Sequence, residues 1–184
     1  MSEPMSDRAK TAELERLLYR KHTKAAKHPV NQTGSHIFAL QVANDAALPV
    51  SHFDAVAMHI HAGKRFILDI FEIKASRSDL KRELDKPDKS WAARELADRI
   101  WLVTPKGLSE GMDLPDHWGL LEATPNFTRL MTVKPAPVLR ELGGWHDPRP
   151  IPRGFFVSML QAEAHIPGKR PRKSSSSLAE IREA

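Results

Sequence analysis

Residues 53–75, FDAVAMHIHAGKRFILDIFEIKA, decide the fold. Two runs rich in β-branched and aromatic residues, Phe53–Ile60 and Arg65–Ala75, flank a short gap that contains a glycine, the mark of an antiparallel hairpin. Side-chain matching selects a register. With Ala62, Gly63 and Lys64 as the loop, Ile60 faces Phe66, Met58 faces Leu68 and Val56 faces Ile70 on one side. On the other side Ala55 faces Phe71 and Phe53 faces Ile73. A slip of one residue would destroy the matching, because it moves every side chain to the opposite face. Both faces are mostly apolar, so helices are expected on both sides of the sheet.

Upstream, Leu14, Leu17 and Leu18 make an apolar stripe at i, i+3, i+4 and predict a helix from Thr11. Residues 1–10 read as a disordered polar start. HIFALQVA, 36–43, is a further strand. Downstream, Ser76–Leu84 is helical with Ser76 or Ser78 as N-cap, Pro87 breaks it, and Ser90–Ala97 is a second helical piece. RIWLVT, 99–104, is a short strand stopped by Pro105 and Gly107. Trp118–Ala123 and Phe127–Lys134 form a second hairpin, and Gly154–Ala164 a closing helix. The expected class is α/β: a mixed central sheet flanked by helices, plus a C-terminal β-hairpin extension. One domain spans 11–166, and the basic, Ser-rich 167–184 reads as a disordered tail.

Composition bounds the function. The chain has 184 residues, with 28 Lys+Arg against 23 Asp+Glu, and a formal net charge of +5. A basic balance favours a polyanionic partner. The absence of cysteine excludes disulfide scaffolds, thiolate zinc sites and cysteine nucleophiles. The polar N-terminus carries no signal-peptide pattern and no apolar run suits a membrane span, so a cytoplasmic location is expected.

The hairpin register also places chemistry. It sets Asp54 opposite Glu72 on one face, and Lys74, two residues on, shares that face. Cross-strand Cβ atoms stand about 5 Å apart. Two carboxylates that close repel, so one protonates or a cation sits between them. Such oxygen ligands suit Mg²⁺ or Mn²⁺, with the Ile73 carbonyl as a further donor. The bland alternative is a surface salt-bridge cluster at a strand end, but a strand as apolar as FILDIF needs no such charges for solubility.

Four stretches in order carry a resemblance: DAVAM (54–58), RFILDIFEIKASRSDLKREL (65–84), ADRIWLVTPKGL (97–108) and LPDHWGLLEA (114–123). Together they resemble the PD-(D/E)XK nuclease superfamily, and within it the MmcB-like DNA-repair and phage-borne group, over about residues 52–135. The resemblance implies a restriction-endonuclease-like αβββαβ core and metal-dependent hydrolysis of DNA phosphodiesters. Asp54, Glu72 and Lys74 take its active-site positions. Two departures stand out: the family's basic residue before the aspartate is represented by His52 alone, and its Cys is Ala97.

On this reading Asp54, Glu72 and Ile73 hold the metal, and Lys74 orients or deprotonates the attacking water. Arg77, Lys81, Lys86 and Lys89 hold the DNA backbone. Asp69 lies near Glu72 in sequence, but alternation turns it to the opposite face, with a lysine or a helix N-terminus as its expected partner. Glu13 and Glu15 read as a solvated helix face, although the resemblance implies that such a helix can lend one of them to the metal site. His59 and His61 share a face away from Asp54; without Cys or a helix-borne HExxH they do not make a zinc site. Trp101 and Trp118 read as core, and Trp145 as the tryptophan to test for base stacking. The alternatives are a catalytically inactive nucleic-acid-binding module of the same fold, and an interaction protein with a decorative charge cluster. A nuclease of this size often works as a homodimer to cut two strands, but no stretch marks an interface.

Overall fold

The computed structural model describes residues 5–23, 36–45, 52–59, 66–85, 91–139 and 151–162. Its elements are α1 (Asp7–Thr23), β1 (His36–Ala43), β2 (His52–His59), β3 (Leu68–Ile73), α2 (Arg77–Leu84), α3 (Trp91–Leu96), β4 (Arg99–Pro105), β5 (Trp118–Ala123), β6 (Leu130–Lys134) and α4 (Arg153–Gln161). The strands form one mixed six-stranded sheet in the order β1-β2-β3-β4-β5-β6. β3, β4 and β5 run parallel, and the outer neighbours pair antiparallel. The C-terminal hairpin is therefore not an appendage: β5 joins β4 directly and β6 becomes the sheet edge. No helix among the described residues is long and apolar enough to cross a membrane.

The leucine stripe of α1 covers one face. Leu14, Leu17 and Leu18 pack on Phe38, Leu40, Ala55, Phe71, Ile73 and Val103. The other face is closed by Leu80 of α2, Ala92 and Ala93 of α3, and Phe155 and Met159 of α4, over Val56, Ile70, Ile100 and Leu102. The helix α1 starts at Asp7, inside the stretch that polarity assigns to an unstructured start. Ser6 explains the correction: its Oγ accepts from the N–H of Ala9 at 3.3 Å, an N-cap, and Asp7 complements the helix dipole.

β2 and β3 pair in the register that side-chain matching selects: Ala55 with Phe71, Val56 with Ile70, Met58 with Leu68. The loop at 62–64 lies outside the described residues, as does the 167–184 tail. One expectation fails. Phe53 does not share a face with Ile73: it packs in the α2–α4 core beside Phe155, whereas Ile73 packs under α1. The cause is in the neighbouring strand. Gln41 takes φ 53°, and alternation breaks there, so Val42 and Phe53 fall on the face opposite to Leu40 and Ala55. Likewise β6 begins at Leu130 rather than Phe127, because Phe127 has φ 50° and donates its N–H to the Thr124 carbonyl in a turn.

Two of the recognised motifs turn out to be structural. Asp98 fastens the start of β4 to β3, its carboxylate accepting the N–H of Leu68 at 2.9 Å. Arg99 and Trp101 converge on Asp69, which is only 2% exposed; Arg99 donates twice at 2.6 Å and the Trp101 indole once at 2.9 Å. Asp69 thus faces away from Glu72 as alternation requires, with an arginine as its charge partner rather than a lysine or helix terminus. Beside it, Gly119 leaves no room for a side chain. A Cβ there would stand 2.5 Å from the Trp101 ring and 2.6 Å from Ala136. Because Asp69 anchors Trp101, the ring cannot yield freely. Gly119→Ala is expected to destabilise by about 1–3 kcal/mol, read from the urea unfolding midpoint.

Candidate metal centre

The site lies where β2 and β3 stop pairing. The ladder ends at Ala55–Phe71, one residue short of Asp54 and Glu72. Past that point the Asp54 carboxylate accepts the N–H of Ile73 at 2.8 Å. Asp54 sits opposite the strand irregularity at Gln41, where the local twist re-aims a side chain. So the sequence-predicted Asp54, Glu72, Ile73 and Lys74 are brought to one place, at the carboxyl end of a parallel strand, where open α/β sheets bind ligands.

A fourth group joins them. The Lys74 Nζ lies 3.3 Å from Glu72 Oε2 and 3.2 Å from Glu83 Oε2. Glu83 is carried on α2, whose start is defined by Ser76, its Oγ accepting the N–H of Asp79. The sequence reading passes over Glu83, yet a signal exists: it lies three residues after the buried Leu80, on the helix face turned to the sheet.

Electrostatics at the site are unbalanced. Burial pushes the Glu72 carboxyl up, the Asp54 carboxylate adds repulsion, and together they outweigh Lys74, raising it to about 8. For Lys74 burial works downward, but Glu72, Asp54 and Glu83 overcome it and hold the ammonium well above the ordinary lysine range. A group so firmly protonated stays charged and donates hydrogen bonds, and it does not serve as a general base. Among the described residues no three His, Asp or Glu side chains already surround one point. The donor set nevertheless fits a hard dication: two carboxylates from neighbouring strands, one holding a proton that a cation would displace.

A pH dependence follows for the protein without divalent ions. The folded chain keeps the Glu72 proton up to about pH 8, while the unfolded chain releases it near 4.5. Between those values the folded state binds more protons, so stability falls as pH rises through that window. Thermal unfolding in EDTA from pH 5 to 9 is expected to show this decline, and Glu72→Gln to flatten it.

The proposed DNA-contacting residues are placed differently. Lys81 is exposed on α2; Lys86 and Lys89 lie outside the described residues. Arg77 is drawn to the loop after β4, donating from Nη1 to the carbonyls of Leu108 at 2.9 Å and Glu110 at 3.0 Å. That loop lines a cavity of about 530 Å³ with Lys106, Met112, Leu120, Glu122 and Lys134. Glu13 pairs with Arg16 on α1, and that helix packs on the face away from Glu72, as does Glu15 with it. Trp118 is buried, Trp101 is tied to Asp69, and Trp145 and His61 lie outside the described residues.

The fold and site define an α/β protein with a six-stranded mixed sheet and a cluster of acids and one lysine at the carboxyl end of its central strands. Comparison adds a structural relative. No family model matches the chain, and no curated protein matches it. Among solved structures it is similar to the SPO1766 protein of unknown function from Silicibacter pomeroyi, at 14% identity and a TM-score of 0.52, over 87% of this chain and 90% of that one. That likeness speaks to the fold alone.

Proposed function

We propose that the chain is a metal-dependent DNA endonuclease of the PD-(D/E)XK type, of the MmcB-like group, on a restriction-endonuclease-like αβββαβ core. The observation that carries this reading is Glu72, buried between the Asp54 carboxylate and the Lys74 ammonium and under-compensated in charge. Lys74 is buried and Glu72 mostly so, which sets the pair apart from a surface salt bridge. Asp54, Glu72 and the Ile73 carbonyl hold Mg²⁺ or Mn²⁺. When bound, that ion polarises the scissile phosphate and acidifies a water. Lys74 orients the water and steadies charge growing on the phosphate oxygens. Lys81, with Lys86 and Lys89, tracks the DNA backbone. Arg77, two of whose five N–H groups are engaged by the loop, turns the others to phosphate. A homodimer supplies two sites for double-strand cutting.

The test is a substrate panel: supercoiled, linear, single-stranded and branched DNA, each with Mg²⁺, Mn²⁺ or EDTA. Cutting with either metal and none with EDTA is expected. Binding that weakens steeply with salt, without cutting on any substrate, would instead identify the inactive binding module, a reading favoured by His52 standing where the family has a stronger base.

A further inference from the structure

On the opposite face of the sheet three imidazoles lie side by side beneath the last turn of α1, without converging on one point. The Nε2 atoms of His36 on β1 and His59 on β2 share a hydrogen bond at 2.9 Å, which a bound metal ion would replace. His22 of α1 stands against them, its ring centroid 4.7 Å from that of His36. His22 is only 6% exposed, and neither of its ring nitrogens has a hydrogen-bond partner. All three line a cavity of about 270 Å³ that also meets Lys21, Asp69 and Arg99.

We propose that His36 and His59 form a binding site for a borderline divalent transition-metal ion such as Zn²⁺, Ni²⁺ or Cu²⁺, closed on one side by His22 and separate from the acidic centre. The spacing suits the chemistry. Metal–imidazole bonds are about 2.0–2.1 Å, so two such nitrogens stand about 2.9 Å apart on a square-planar ion and about 3.3 Å apart on a tetrahedral one, within a few tenths of an ångström of the spacing here. Asp69 favours a cation here, while Lys21 and Arg99 oppose one. The donors are two nitrogens rather than a closed set of three, so water in the cavity completes the ion's shell. Nitrogen ligands select these metals over Mg²⁺, which the carboxylates across the sheet prefer.

The test uses the full-length chain, dialysed against EDTA and then titrated with Zn²⁺ by calorimetry in a large excess of Mg²⁺. One equivalent is expected to bind. His36→Gln combined with His59→Gln should weaken it about tenfold or more, while Asp54→Asn with Glu72→Gln should leave it unchanged. If the histidine variant binds Zn²⁺ as tightly as the parent, the site is elsewhere and the proposal falls. Imidazole ¹⁵N spectra of the unmodified protein give a check that needs no variant. Added Zn²⁺ should move the His36 and His59 Nε2 signals, and signals that stay in place at saturation overturn the assignment.

Discussion

Lys74→Ala is expected to lower metal-dependent DNA cleavage by about two to three orders of magnitude, with binding to DNA largely retained. The geometry explains the size of the effect. Lys74 is the cation that reaches both Glu72 and Glu83, at 3.3 and 3.2 Å, and it lies on the face where the phosphate would sit. Its ammonium is held above the ordinary lysine range by three carboxylates, with burial opposing them. It therefore acts as a fixed positive charge in a site of reduced dielectric, where such a charge matters more than in water. The same substitution strips compensation from Glu72 and Glu83. In EDTA the variant should lose stability, and Mg²⁺ should restore much of it. Rates measured at saturating Mg²⁺, with the unfolding midpoint recorded beside them, separate chemistry from folding. Undiminished cutting by Lys74→Ala would end the nuclease reading of this site.

Asp69→Ala is expected to be the most damaging substitution to the fold, at about 3–5 kcal/mol. The carboxylate is almost wholly buried and accepts three hydrogen bonds, two from Arg99 and one from the Trp101 indole. Its removal leaves a guanidinium and an indole N–H without their acceptor at the centre of the sheet. Arg99→Ala leaves the opposite charge buried and should cost a similar amount. The double variant should cost less than the sum, which a denaturant-unfolding cycle measures directly. Simple addition of the two single effects would show that the pair does not act as a unit.

These two aspartates show what could be read in advance. Asp54 and Asp69 lie on adjacent strands of one hairpin: period-2 alternation turns Asp69 across the sheet from Glu72, while the irregularity opposite Gln41 sets the aim of Asp54 beside it. The register was legible because it is a local property, set by a short gap and by matching of Val56 with Ile70 and Met58 with Leu68. Glu83 was legible only as a sheet-facing position of α2, three residues after Leu80, and not as a partner of Lys74. Its approach to Lys74 depends on where α2 settles after the strand, a distance no spacing encodes. Arg77 is similar: as a helix-start arginine it reads as a phosphate clamp, and only the course of the loop after β4 brings the Leu108 and Glu110 carbonyls to it.

Alternation and turn chemistry, both written within a few residues, determined the strands, the pairing of β2 with β3 and the shared face of Glu72 and Lys74. Tertiary structure decided the rest. It placed the second hairpin in the main sheet, turned Phe53 away from Ile73 through the left-handed backbone at Gln41, and assembled His22, His36 and His59 from three elements. The physical reason is range. Side-chain periodicity acts over one element, whereas burial and charge compensation depend on groups that meet only after the sheet has closed.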